Sequence, residues 1–126
     1  MQQRFEWYLG IDWGSDRHQF CLSDREGRVI DEWMFDHTTV AVYAALHRVR
    51  ERTGMAPAAI AVAIETPHGI LVDTLIEQGF TVFALNPKQL DRFRDRFSAG
   101  GAKDDRRDAH VLSDALRTDP RAFRAI

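Results

Sequence analysis

A continuous apolar run at residues 59–64, Ala-Ile-Ala-Val-Ala-Ile, constrains the fold of this chain most. A strand with one face in water alternates apolar and polar residues, whereas an unbroken apolar run is typical of a strand buried on both faces of a parallel sheet. Parallel neighbours need long crossover connections, which are usually helices. The run ends directly at Glu65, and a charge that ends a buried strand is costly unless it is paired. We therefore expect an α/β protein with a candidate site at this strand end.

The residues before this run predict an antiparallel meander followed by a helix. Three strands are expected at about 6–13, 17–23 and 28–36, with Asp24 to Gly27 as a tight turn between the last two. Apolar residues then recur at helical spacing up to Thr53. Thr38 is the expected N-cap of this helix, and Gly54 is expected just past its end.

The residues after the run predict two further strand and helix pairs. A turn at Thr66-Pro67 should lead into a helix that Gly79 ends, and residues 80–85 form a further apolar strand. Asn86-Pro87 supplies an N-cap and a first-turn proline for the next helix. A break at 98–102 separates it from a last helix that begins near Lys103.

This order predicts a mixed five-stranded sheet with a three-stranded antiparallel meander and flanking helices, the ribonuclease-H-like arrangement. Ligands gather at the carboxyl ends of parallel strands in such sheets. Asp12 ends the first strand, so it lies beside Glu65 if the first and fourth strands are neighbours. The last helix must then cross the sheet for its acidic residues to face both.

The last helix opens with Asp-Asp-Arg-Arg-Asp at residues 104–108. Asp105 and Asp108 are i, i+3 neighbours on one helix face, where like charges repel. Together with Asp12 and Glu65 they would make a site of carboxylate oxygens, which Mg²⁺ prefers, with Mn²⁺ as a substitute. The alternatives are structural: Asp12 could cap a turn, and Asp104 could be an N-cap or first-turn residue of the helix. We predict metal-dependent chemistry on phosphates.

The net charge of −2 conceals an asymmetry along the chain. Residues 1–85 carry a balance of −5 and residues 86–126 a balance of +3. A nucleic-acid backbone would be attracted to the basic part. The candidate contacts are Lys88, Arg92, Arg96, Lys103, Arg106 and Arg107. The alternative is a solvated helix face, in which Asp91 and Asp95 pair with arginines.

Composition limits the remaining possibilities. The 126 residues, with 44% hydrophobic and 29% charged, describe one soluble domain over 1–126. No apolar stretch approaches the roughly 20 residues that span a bilayer, and the N-terminus lacks a signal-peptide pattern, so we expect a cytoplasmic protein. The single Cys21 is expected in the core, and the five histidines lack the spacing of zinc ligands. Trp13 should point away from Asp12, into the core.

Four motifs resemble the N-terminal RuvC-like domain of the Asp-Glu-Asp-Asp insertion-sequence transposases. They are Gly10-Ile11-Asp12-Trp13-Gly14, Ile64-Glu65-Thr66-Pro67, Asn86-Pro87 and the segment Lys103-Asp104-Asp105-Arg106-Arg107-Asp108-Ala109. These enzymes are described as bridge-RNA-guided serine recombinases of bacteria and archaea. Asp104 departs from the family, in which Thr or Ser often stands there.

The resemblance implies that Asp12, Glu65, Asp105 and Asp108 are the four catalytic and metal-binding acids. It further implies cleavage and joining of DNA phosphodiesters, a guide RNA, and assembly as a homo-oligomer. Family members continue into a second domain that bears a nucleophilic serine, so we expect residues 1–126 to be the N-terminal part of a longer transposase.

Three other functions remain open from the sequence. A hydrolytic endonuclease for four-way junctions would use the same acids. The opening Gly-Ile-Asp-x-Gly-Ser also resembles the first phosphate loop of sugar kinases and actin-like ATPases, although their second phosphate loop and adenosine motif have no counterpart here. The third alternative is a module that only binds RNA or DNA, with structural acids.

Overall fold

A computed structural model describes residues 5–14, 16–54, 57–65, 69–85, 87–95 and 105–126, with the backbone alone for 87, 91, 94, 95, 105 and 106. Its strands are β1 (Trp7–Trp13), β2 (Arg17–Asp24), β3 (Val29–Asp36), β4 (Ile60–Ile64), β5 (Thr81–Leu85) and β6 (Phe123–Ala125). Its α-helices are α1 (Thr39–Thr53), α2 (Ile70–Glu77), α3 (Pro87–Asp95) and α4 (Asp105–Thr118). The predicted elements at Thr66-Pro67, at Asn86 and at 98–102 lie outside the described residues.

The strands form one mixed sheet in the order β3-β2-β1-β4-β5-β6. β1, β2 and β3 pair antiparallel as the predicted meander, whereas β4 pairs parallel with both β1 and β5. The α/β arrangement is as predicted, but over the residues that the structure describes the sheet has six strands rather than five. The sixth strand was missed because it has only three residues and no alternating pattern, and it forms by pairing antiparallel with β5.

The local signals at α1 act as predicted. The Thr38 hydroxyl accepts a hydrogen bond from the Ala41 N–H at 3.1 Å, which satisfies one of the free donors at the helix start. Gly54 ends the helix at a φ of 58°, a left-handed conformation that glycine adopts without strain. The two ends of α1 are therefore determined by its local capping residues, Thr38 and Gly54.

Two hydrophobic clusters lie on opposite faces of the sheet. One face packs against α1 and α2 and buries Ile60, Val62 and Ile64 of β4. The other face packs against α3 and α4 and buries Ala61 and Ala63. Because side chains alternate along a strand, the apolar run of β4 fills both clusters, as a central parallel strand should.

Candidate active site

Asp12 lies on the face of the sheet that α4 covers. It is two residues beyond Gly10 on β1, so the two residues share a face. A Cβ placed on Gly10 would lie 2.7 Å from the Ser113 nitrogen and closer still to the Ala109 carbonyl oxygen, both of them α4 backbone atoms. Only glycine allows this approach. The helix therefore lies directly on the strand that carries Asp12.

α4 runs antiparallel to β1, which brings its first turn to the Asp12 end of the strand. Near the start of β1, burial raises the pKa of the Tyr8 phenol, and the positive charge of Arg117 on the last turn of α4 partly opposes this shift. Gly10 contacts the middle of the helix. One strand step of two residues is about as long as one helical turn. Asp12 therefore faces the turn that begins at Asp105.

Ser113 fixes the height of α4 above the sheet. Its hydroxyl oxygen lies 3.3 Å from the Ser23 hydroxyl oxygen of β2 and 3.8 Å from the Cys21 sulfur. It also contacts the His110 carbonyl oxygen at 3.1 Å. Cys21 is fully buried, as expected. These buried contacts join α4 to β2 on the same face as Asp12.

Glu65 adjoins Asp12 through the parallel ladder of β1 and β4. The last pair of this ladder is Ile11 with Ile64. Asp12 follows Ile11 within β1, and Glu65 is the first residue after β4. Glu65 is two residues beyond Ala63 and four beyond Ala61, whose side chains lie under α3 and α4, so strand alternation assigns it to the same face. Neighbouring strands are about 4.8 Å apart, so strand alternation continued through Glu65 would bring these two half-buried acids side by side on the α4 face.

Asp108 is buried on α4, next to the Ala109 that contacts Gly10, and is only 4% exposed. The side chain of Asp105 lies outside the described part, as does the whole of Asp104. Of the described side chains, no three from His, Cys, Asp and Glu lie close enough together to hold a metal ion. Asp12 and Glu65 stand at one end of the sheet, and Asp108 is on the helix that covers it. The metal site remains a proposal that needs Asp105.

The predicted basic contacts are described in part. Lys88 and Arg92 are exposed and lie four residues apart, on one face of α3. β5 is parallel to β4 and ends opposite it, with Ala84 paired to Ile64, so Lys88, in the first turn of α3, lies at the same sheet edge as Glu65. Arg107 is half-buried on α4. Arg96, Lys103 and the side chain of Arg106 lie outside the described residues.

Two polar residues near Asp12 were not selected from the sequence. Gln19 lies directly opposite Asp12 in the antiparallel ladder and is 6% exposed, so its side chain shares the α4 face. Its side-chain amide donates to the Phe20 carbonyl oxygen at 3.3 Å. His18 is 1% exposed on the other face. Neither residue has a local sequence signal, because the strand register alone places them here.

A comparison with solved structures places this fold in the RuvC class. The structure of T. thermophilus RuvC in complex with a Holliday junction substrate superimposes with a TM-score of 0.67, covering 95% of this chain and 99% of that chain. The two sequences are 15% identical, so the likeness concerns the fold. The predicted ribonuclease-H-like, RuvC-like fold is confirmed.

The chain belongs to the IS110 family of DEDD transposases, whose family profile, described as "Transposase", matches residues 9–126. The putative transposase y4uE of Sinorhizobium fredii is 51% identical over 120 residues, which are 94% of this chain and 33% of that protein. The mini-circle putative transposase for IS117 of Streptomyces coelicolor is 34% identical over 119 residues, again 94% of this chain and 29% of that protein. The chain thus spans about a third of the length of these relatives, and the family predicted from the motifs is confirmed.

In the described parts of the chain, no helix is both long and apolar enough to cross a membrane.

Proposed function

We propose that this chain is the Mg²⁺-dependent catalytic domain of a DNA transposase that cleaves and joins phosphodiesters during insertion-sequence transposition, guided by RNA. The observation that supports it most is the contact of Gly10 with the α4 backbone. This contact lays α4 against β1, which supports the proposal that the first turn of the helix, with Asp105 and Asp108, meets Asp12 and Glu65.

The donor set suits a hard divalent cation. Asp12, Glu65, Asp105 and Asp108 would supply carboxylate oxygens, which Mg²⁺ prefers, and Mn²⁺ could substitute. A bound divalent ion would polarise a phosphate and lower the pKa of a coordinated water. The protein's own contribution would be to hold these four acids, from β1, the end of β4 and α4, on one face. Burial of Asp108 beside Ala109 limits its motion, so its orientation depends on α4 as a rigid body.

Lys88 and Arg92 are proposed to contact the DNA or RNA backbone beside this site. Both are exposed, and Lys88 is in the first turn of α3, at the sheet edge where Asp12 and Glu65 lie. Positive side chains at the rim would attract a polyanion to a site that is itself acidic. The same role is proposed for Arg96, Lys103, Arg106 and Arg107.

Strand exchange is proposed to need a second, serine-bearing domain and an oligomer of the whole transposase. Metal polarisation lowers a barrier, but it does not replace a nucleophile held in line with the phosphate. A hydrolytic junction endonuclease is the second candidate, because the structural neighbour RuvC was solved with a Holliday junction substrate. A four-way junction is therefore the first DNA to test.

The decisive experiment is a crystal of the 126-residue chain soaked with Mn²⁺ and read for anomalous density. We expect density between Asp12, Glu65 and the first turn of α4, and its loss in Asp12→Asn. Asp16→Asn is the matched control, since Asp16 is an exposed acid in the turn after β1. Density that persists in Asp12→Asn, or that lies elsewhere, would refute the site.

Incubation of the same chain with Mg²⁺ and a junction DNA separates the two candidate functions. The transposase proposal predicts no strand exchange by the chain alone. Metal-dependent nicking of the junction that is lost in Asp108→Ala would instead favour the endonuclease.

A further inference from the structure

A buried histidine lies behind Asp12, on the opposite face of the sheet. His18 of β2 is paired with Trp13 of β1 and is only 1% exposed. Its ring stacks on the Trp13 ring with centroids 3.8 Å apart and lies 5.2 Å from the Phe35 ring. Trp13 packs against the cluster under α1 and α2, as predicted. The proposed function gives this buried, ionisable ring no role.

The hydrogen bonds of His18 determine where its proton lies. The Gly14 backbone N–H donates to Nδ1 of His18 at 3.2 Å, and Nε2 of His18 lies 2.9 Å from Nδ1 of His37. A backbone N–H can only donate, so Nδ1 of His18 must be the acceptor and its proton must sit on Nε2. That proton is donated to Nδ1 of His37, which leaves the proton of a neutral His37 on Nε2.

The ring of His18 stays neutral in this arrangement. Burial, together with the adjacent His37, lowers the pKa of His18 from 6.5 to about 4. A protonated His18 would carry a hydrogen on Nδ1 that points at the Gly14 N–H, so protonation would break this bond. The hydrogen-bonded chain from Gly14 through His18 to His37 is therefore intact at neutral pH.

These bonds hold both sides of the turn that follows β1. Gly14 is bound through His18, and the Asp16 carbonyl oxygen accepts a hydrogen bond from the His37 N–H at 2.8 Å. The backbones of Gly14 and Arg17 approach each other closely, because a Cβ on Gly14 would collide with the Arg17 carbonyl oxygen. The ladder between β1 and β4 has already stopped at Ile11, so beyond it β1 is paired only with β2. The histidine pair therefore holds the strand end where sheet pairing is one-sided.

We propose that His18, held by His37, is a positioning residue for the Asp12 carboxylate, because it fixes the end of β1 through Gly14, two residues beyond Asp12. The proposal rests on the proposed function in one respect, the assignment of Asp12 as a metal ligand. His18 itself does not reach the metal or the substrate, since its side chain lies on the other face of the sheet.

Two variants of similar size separate positioning from packing. His18→Asn keeps an oxygen that can accept from Gly14, whereas His18→Leu has no acceptor. Both lose the stacked ring. A buried asparagine leaves an amide N–H without a sure partner, so packing alone makes His18→Asn the less stable protein. If His18 positions Asp12, His18→Asn should bind the metal more tightly than His18→Leu, although it is the less stable of the two.

Three measurements are made on the purified 126-residue chain: hydrogen exchange of the Gly14 amide, Mn²⁺ affinity by calorimetry, and stability in urea. We expect the Gly14 amide of His18→Leu to exchange about tenfold faster than in wild type, the equivalent of one hydrogen bond. Its Mn²⁺ affinity should be about tenfold lower for the same reason. His18→Asn should stay within about threefold of wild type in both. His47→Leu, which removes an exposed histidine paired with Glu51 at 2.7 Å, is the control.

Nitrogen NMR shifts of the wild-type histidines test the proton positions without any metal. Both His18 and His37 should show the tautomer protonated at Nε2. If His18→Leu does not fold, the exposed His37 provides the same test. His37→Asn should keep an acceptor for the Nε2 proton of His18, and His37→Leu should lose it. The Gly14 amide should therefore exchange faster, and Mn²⁺ should bind more weakly, in His37→Leu than in His37→Asn.

The outcomes distinguish failure of this inference from failure of the proposed function. Normal Mn²⁺ binding by wild type, with equal affinities in the Leu and Asn variants, overturns the positioning role alone. Unchanged Gly14 exchange in His18→Leu, or an Nδ1 proton on His18, overturns it as well. A wild-type chain that binds Mn²⁺ no better than Asp12→Asn overturns the proposed function, and with it the role of His18.

Discussion

Substitution of Gly10 by alanine should move α4 away from β1 and separate the acids of the candidate site. The added Cβ would lie 2.7 Å from the Ser113 nitrogen and closer to the Ala109 carbonyl oxygen. An ordinary contact of a carbon atom needs about 3.5 Å, so α4 must move by roughly 1–1.5 Å. Both atoms belong to the backbone, so no side-chain rotation can relieve the collision.

The expected cost has two parts. Overpacking of this kind lowers the free energy of unfolding by about 1–3 kcal/mol, which urea unfolding would measure. A displacement of about 1 Å in a reacting constellation costs on the order of 100-fold in rate, so the Mn²⁺ affinity and any activity of Gly10→Ala should fall sharply. The loss of Mn²⁺ affinity should be larger than the small fraction of unfolded protein can explain.

Gly54→Ala is the control for destabilisation without helix movement. A Cβ on Gly54 meets nothing within 4 Å, but its φ of 58° strains an alanine. Gly54→Ala should therefore lose about 1 kcal/mol of stability and bind Mn²⁺ as wild type does. Wild-type metal affinity in a folded Gly10→Ala variant would refute the reasoning that this contact builds the site.

Further outcomes follow from the charges and ionisable groups. Because the folded-state pKa of His18 is depressed from 6.5 to about 4, its contribution to stability is full above pH 6.5 and is lost as the pH falls toward 4. At about 1.4 kcal/mol per pH unit this amounts to about 3 kcal/mol, and the loss should be absent from the urea stability of His18→Leu. Mg²⁺ or Mn²⁺ should raise the melting temperature of wild type but not of Asp12→Asn; an equal rise in both would count against a site at Asp12. Lys88→Ala should weaken DNA binding and lower the salt slope by about 1, whereas Arg50→Ala, an exposed change on α1 across the sheet, should do neither in a fluorescence titration.

Most secondary structure of this protein could be predicted from local residue patterns. Thr38 and Gly54 bound α1 through their own capping chemistry, and the apolar run of β4 identified the central parallel strand. β6 could not be predicted, because a three-residue strand owes its existence to the free edge of β5. The family could be identified because its acidic motifs are short, local and spaced in a specific way.

The acids of the candidate site were identifiable as residue types, but their arrangement was not. Local patterns were enough to predict that Asp12 and Glu65 stand at strand ends and that Asp105 and Asp108 have the i, i+3 spacing of one helix face. The register of β1 with β4 at Ile11 and Ile64, which brings the chain at Asp12 next to the chain at Glu65, is visible only in the folded protein. Register is a long-range hydrogen-bond pairing, so no local pattern encodes it.

The same reason explains why the surroundings of Asp12 emerged only from the fold. Gln19 is opposite Asp12, and His18 lies behind it, through the antiparallel register of β1 and β2. His37 reaches His18 across 19 residues of chain because the end of β3 returns to the turn after β1. Gly10 was visible in the sequence as part of a motif, but the reason for a glycine there is the backbone of α4, about 100 residues away along the chain.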